Sequence, residues 1–141
     1  MSITKATLYD QFETSKEAEA GEGIRIEMPA SGAKFWLKRA GGANVPFTKY
    51  VERENRKFRA AGKNLNNEQG EEIIRVALVH HCLIKWEGVT GRDGKNLKFT
   101  PENAIKLFED LPDLMMAVYG QAADADNFLA SHNIMEEEVK N

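Results

Sequence analysis

The run IIRVALVHHCLIKW, residues 73–86, holds Arg75 and Lys85 as its only formal charges in a chain that is 29% charged. A segment this apolar must lie at the centre of whatever core forms. Read as a helix, it places Ile73, Val76, Ala77, His80, Leu83 and Ile84 on one face and Ile74, Leu78, Cys82 and Trp86 on an adjoining one. Asn66 or Asn67 can cap its start, and Glu68, Glu71 and Glu72 suit a first turn where the helix dipole is positive. The spacing predicts a helix over 67–85, with a strand the alternative near 83–86.

At 141 residues the chain fits one domain, 1–141, with a substantial core. Within it, IRIEM alternates Ile24, Ile26 and Met28 against Arg25 and Glu27, the period of a half-buried strand. AKFWLKR follows after the turn cluster PASG, which predicts a β-hairpin over 22–39. A lone hairpin is marginal in water, so it must lean on helices or pair with another chain. Residues 1–20 offer Leu8, Tyr9 and Phe12 as large apolar groups, with Leu8 and Phe12 on one helical face. They predict a short, loosely attached helix.

The remainder reads as a helical core over 44–131. Pro46 suits a first helical position, Phe47, Tyr50, Val51 and Phe58 have helical spacing, and Gly62 stops a helix over 46–61. Thr100-Pro101-Glu102 opens a helix over 101–110, and Pro112 ends it and starts another over 112–130. Between Trp86 and Phe99 the arms WEGV and LKF flank the turn GRDG, a second small hairpin near 86–99. That loop is no phosphate cradle. A P-loop needs glycine where Val89 stands and a hydroxyl where Asn96 stands. The fold class expected is α+β, mostly α-helical, ending in a polar tail at 132–141.

Candidate chemistry is sparse. Adjacent His80 and His81 point about 100° apart on a helix, and His132 is distant in sequence, so no metal site is expected. No nucleophile elbow or dinucleotide fingerprint is present. We expect no catalytic residues and no cofactor. Cys82 reads as a buried thiol suited to a reducing cytoplasm. The net charge of -3 offers no global pull on nucleic acid. No signal peptide or membrane span is expected. The basic face Lys49, Arg53, Arg56, Lys57 and Arg59 reads first as a solvated helix face. The alternative is an adaptor that binds nucleic acid or protein through it.

From Trp86 to Phe128 the order of WEGV, a Gly/Asp turn, FTPENA, LPDL and ADADNF resembles the tail assembly chaperones of long-tailed bacteriophages. FWLKRAGGANVPFTKYVERENRKFR is similar to that family's upstream part, and together these pieces cover about two thirds of the chain. The resemblance implies a non-enzymatic protein of the host cytoplasm. It would bind and solubilise the tape-measure protein, help recruit tail-tube subunits, and be absent from the mature virion. From residue type and spacing, the expected contact surface is Met115, Met116, Tyr119 and Phe128, with Arg53 and Arg56 as a charged rim. Self-association through the hairpin's open edges is a further expectation.

Overall fold

The apolar run 73–86 is split between two elements in the computed structural model, which describes residues 5–132. Its first part belongs to a helix, Asn67–His81. The chain then leaves helical pairing at Cys82, whose N–H makes a last bond to the Leu78 carbonyl at 3.0 Å, and extends as a strand, Leu83–Glu87. Numbered along the chain, the elements are α1 Leu8–Phe12, α2 Lys16–Ala20, β1 Ile24–Met28, β2 Ala33–Leu37, α3 Val45–Ala60, α4 Asn67–His81, β3 Leu83–Glu87, α5 Pro101–Asp110 and α6 Pro112–Ala123. A 3₁₀ turn at Ala125–Phe128 follows. The fold is α+β and mostly helical, as the sequence predicts.

The predicted hairpin is β1 and β2, and β3 joins it as a third antiparallel strand in the order β1-β2-β3. The second small hairpin expected near 86–99 is present in reduced form: its first arm starts within β3, and its second arm is not a strand. What remains is a tight turn with an isolated Thr90–Asn96 bridge, in which the Leu97 N–H donates to the Val89 carbonyl at 2.9 Å. The expected helix over 67–85 likewise stops short, at His81.

A register shift explains why alternation did not reveal β3. Trp36 pairs with Lys85 but Leu37 pairs with Leu83, so Ile84 is an extra residue in the ladder. The bulge puts Leu83 and Trp86, three apart in sequence, on the same buried face. A regular strand would have turned Leu83 outward. Trp86 meets Phe35 and Phe99 edge-on, with ring centroids 6.2 and 5.1 Å away, and its indole N–H donates to the Leu97 carbonyl at 2.8 Å. A buried indole needs such a partner.

The inner face of the sheet and helices α3 to α6 enclose one core, in which Phe35, Leu37, Leu78, Phe108, Met115 and Val118 are fully buried. Truncating any one of the buried phenylalanines to alanine is worth about 3–5 kcal/mol.

Local signals set the helix borders. Asn66 accepts from the Gln69 N–H at 2.8 Å, and Gln69 returns a bond to the Asn66 N–H, a reciprocal cap on α4. Thr100 caps α5. Leu111, held extended (φ -128°, ψ 73°) by the proline after it, breaks α5 from α6. The helix expected over 112–130 ends at Ala123, because Asp124 turns its side chain to the Asp126 N–H at 3.0 Å and opens the 3₁₀ turn.

The N-terminal segment is tied down unevenly. Helix α1 stands out in solvent, with Leu8, Tyr9 and Phe12 each more than 70% exposed. Residues 13–20 are fastened. Thr14 bridges Leu129, the Ser15 N–H donates to Phe128, the Ala130 N–H donates to Glu13, and Ala18 and Glu19 are buried. The loose attachment expected for residues 1–20 is therefore corrected for 13–20. The polar tail expected at 132–141 lies, beyond His132, outside the described residues.

Candidate partner-binding surface

Helix α6 carries the surface of most interest. Met115, Val118 and Ala122, at a spacing of three and four, are buried against the core. The opposite side exposes Pro112, Met116, Ala117, Gly120 and Ala123, together with Asp113 and Gln121. Asp113 is the one charged residue from Pro112 to Ala123. A helix that is apolar around its girth is ordinarily enclosed. This one keeps one side in water, with Met116 49% exposed and Leu111, at its start, 46% exposed.

Gly120 lies on that open side. A Cβ added there would meet nothing within 4 Å. Glycine in a helix interior is about 0.8–1 kcal/mol less favourable than alanine. No packing inside the described chain asks for it, and a bare backbone here permits close approach from outside.

The structure separates the residues the sequence grouped. Met115 and Phe128 are fully buried, so their assignment to a contact surface is corrected: both are core. Adjacent side chains on a helix differ by about 100°, and Met115 has taken the inward direction. Met116 is exposed and Tyr119 half-buried against the core. Arg53 and Arg56 are exposed on α3, which packs mainly on α4, while α6 packs on α4 and α5. The two arginines therefore do not form a rim beside Met116 through direct helix packing. Leu111, Ala117, Gly120 and Ala123 were missed as surface residues. The legible signal was the absence of charge between Leu114 and Ala123.

The basic face of α3 is mixed in sign. Lys49, Glu52, Arg53, Arg56, Lys57 and Ala60 line a shallow open depression. Lys57 pairs with Glu54 at 3.2 Å, and the Arg53 guanidinium lies 5.4 Å from the centre of the Tyr50 ring. Tyr50 in turn packs on His81 at 5.5 Å. Burial lowers the His81 pKa, and the neighbouring His80 and Arg53 push the same way.

Cys82 is the buried thiol the sequence suggested, 1% exposed. Burial pushes its pKa up to about 12, with Lys38 pulling weakly the other way. It stays protonated at neutral pH, and the thiolate is the reactive form. Asn44 lies beside it. The Asn44 amide donates to the carbonyls of Arg39 and His81, both at 2.8 Å, and so ties the loop before α3 to the end of α4. Among the described residues, no group of three or more His, Cys, Asp or Glu is arranged to hold a metal ion. Among the same residues, no helix is long and apolar enough to cross a membrane.

The fold is that of a small α+β protein with one uncharged helix side open to solvent. Residues 42–141 match the family described as YdaY prophage protein, and the chain belongs to that phage-derived family. No curated protein and no solved structure matches the chain.

Proposed function

We propose that this protein is a tail assembly chaperone that binds and solubilises a tape-measure protein in the host cytoplasm and helps recruit tail-tube subunits. Membership of a prophage family supplies the phage context, and the ordered motifs from Trp86 to Phe128 supply the resemblance to such chaperones. The observation that carries the reading is the outer side of α6, uncharged from Leu114 to Ala123 and open to solvent.

A tape-measure chain is long and helical, with apolar stripes that aggregate when bare. One such stripe laid along α6 would cover Met116 and approach the backbone at Gly120, as amphipathic helices dock on apolar grooves elsewhere. Covering Met116 contributes about 1–2 kcal/mol, so several such contacts along a stripe are needed for firm binding. Nucleic-acid binding along α3 is the weaker reading, because Glu52 and Glu54 interrupt its basic residues.

The test is co-expression of the prophage's tape-measure polypeptide with the protein or with its Met116→Glu variant. Wild type should keep the polypeptide soluble and co-purify with it, and the variant should do neither. A tape-measure polypeptide left equally insoluble by wild type would end the proposal.

A further inference from the structure

The two outer strands of the sheet differ in how they meet solvent. Strand β3 is kinked by the Ile84 bulge, one of the devices that spoil an edge for further pairing. Strand β1 has no bulge, and its two exposed charges, Arg25 and Glu27, are of opposite sign. Its five residues pair with β2 in unbroken register, and it contains no proline and no lysine. Among the described residues, no strand pairs with its far side. Its inward residues are also less covered than those of β2. Ile24, Ile26 and Met28 are half-buried, whereas Ala33, Phe35 and Leu37 are buried.

The sequence of β1 is complementary to itself. Laid antiparallel against a second copy and centred on Ile26, it sets Arg25 opposite Glu27 of the second copy and Glu27 opposite Arg25 of the second copy. Ile24 then faces Met28 of the second copy on the inner side, and Ile26 faces its own equivalent. Facing residues in an antiparallel pair point to the same side of the sheet, so each charge meets its opposite on the outer face.

The existing rows extend this pattern. Within one copy Glu27 pairs with Lys34, and Lys34 with Glu87. Arg25 pairs with Trp36, and Trp36 with Lys85, whose ammonium lies 4.4 Å from the centre of the indole. Joining two copies at β1 makes one row that runs Glu87, Lys34, Glu27, then Arg25, Trp36 and Lys85 of the second copy. Opposite charges alternate across the join, and the two-fold axis generates the same row in reverse.

We propose that β1 is a homodimer edge that joins two three-stranded sheets into one six-stranded antiparallel sheet through this register. A one-strand interface is at the small end of specific contacts, so the dimer should be reversible and concentration-dependent. The surface involved shares no residue with the outer side of α6, so this proposal stands apart from the chaperone reading.

The experiment is sedimentation velocity on wild type, Arg25→Glu, Glu27→Arg, and an equimolar mixture of the two variants, up to about 100 µM, a range that reads micromolar affinities. Wild type should dimerise. Each variant alone sets like charges against each other at both symmetric positions and should bind itself about tenfold more weakly or worse. The mixture restores an acid opposite a base at both positions and should dimerise again as a heterodimer. That recovery also establishes that both variants are folded. The proposal is overturned by a wild type that stays monomeric, by a dimer that neither substitution weakens, or by a mixture as monomeric as its components.

Discussion

Glu19 and Arg39 close a 2.7 Å ion pair between α2 and the loop that follows β2, with the Glu19 side chain 3% exposed and the Arg39 side chain 21% exposed. The same carboxylate accepts from the Thr14 hydroxyl at 2.7 Å and the Ala43 N–H at 3.3 Å. One side chain thereby fastens the N-terminal segment to the loop that leads into α3.

This cluster should make stability depend on acid. Burial alone would raise the Glu19 pKa, but the bonds from Thr14, Arg39 and Ala43 outweigh it and hold the carboxyl below its ordinary 4.5. A lowered folded pKa stabilises the fold fully above the unfolded value near 4.5, and that stabilisation is lost as pH falls through the folded value. Glu19→Gln should destabilise the protein by roughly 2–3 kcal/mol at pH 7, below the usual figure for a buried pair because Arg39 remains partly solvated. Urea midpoints of wild type and variant should converge as pH is lowered towards 3. A gap that is constant with pH would contradict this account.

Gly42 is the second half of the same junction. Its φ is +53°, and a Cβ would collide with the Glu19 carboxylate. Gly42→Ala should destabilise by about 1–3 kcal/mol, through backbone strain and displacement of the carboxylate. Thermal melts of Gly42→Ala, Glu19→Gln and the double variant should be non-additive, since both substitutions disturb one contact.

Met115 and Met116 should respond oppositely to the same change. Met115→Glu puts a carboxylate where the side chain is 0% exposed and should cost 3 kcal/mol or more, roughly what an unpaired buried charge costs elsewhere. Met116→Glu should change the melting temperature little. Circular dichroism melts of the two single variants decide it, and a double Met115→Glu/Met116→Glu variant is no test of binding, because loss of fold would mimic loss of contact.

Gly120 separates folding from docking most sharply. Gly120→Ala should stabilise the isolated protein by about 0.5–1 kcal/mol, as expected in a helix interior with open space around the added methyl. Gly120→Leu should leave the fold intact and lower recovery of soluble tape-measure polypeptide in co-expression. Equal recovery with Gly120→Leu would place the contact elsewhere than along this side of α6.

The Cys82 thiol should be silent in the native protein. Its burial and raised pKa predict negligible reaction with a disulfide reagent at pH 7.5, and rapid reaction of one thiol in denaturant.

What the sequence determined by itself was local. The alternation of Ile24, Ile26 and Met28, the proline and threonine that open α5, an asparagine cap of α4 at 66 or 67 and the Pro112 break were all legible, because each acts through the backbone within a few residues. Tertiary structure decided the rest. Whether 83–86 continued the helix or formed a strand depended on β2, whose pairing residues Lys34 to Leu37 lie far back in the chain, offering a ladder with room for a bulge. Which of two adjacent methionines was core depended on how α6 sits on α4 and α5, and the N-terminal segment was fastened by Arg39 and Ala43, groups far from Glu19 in the chain. Burial is a property of what packs against a residue, and a residue's own neighbours in sequence do not contain it.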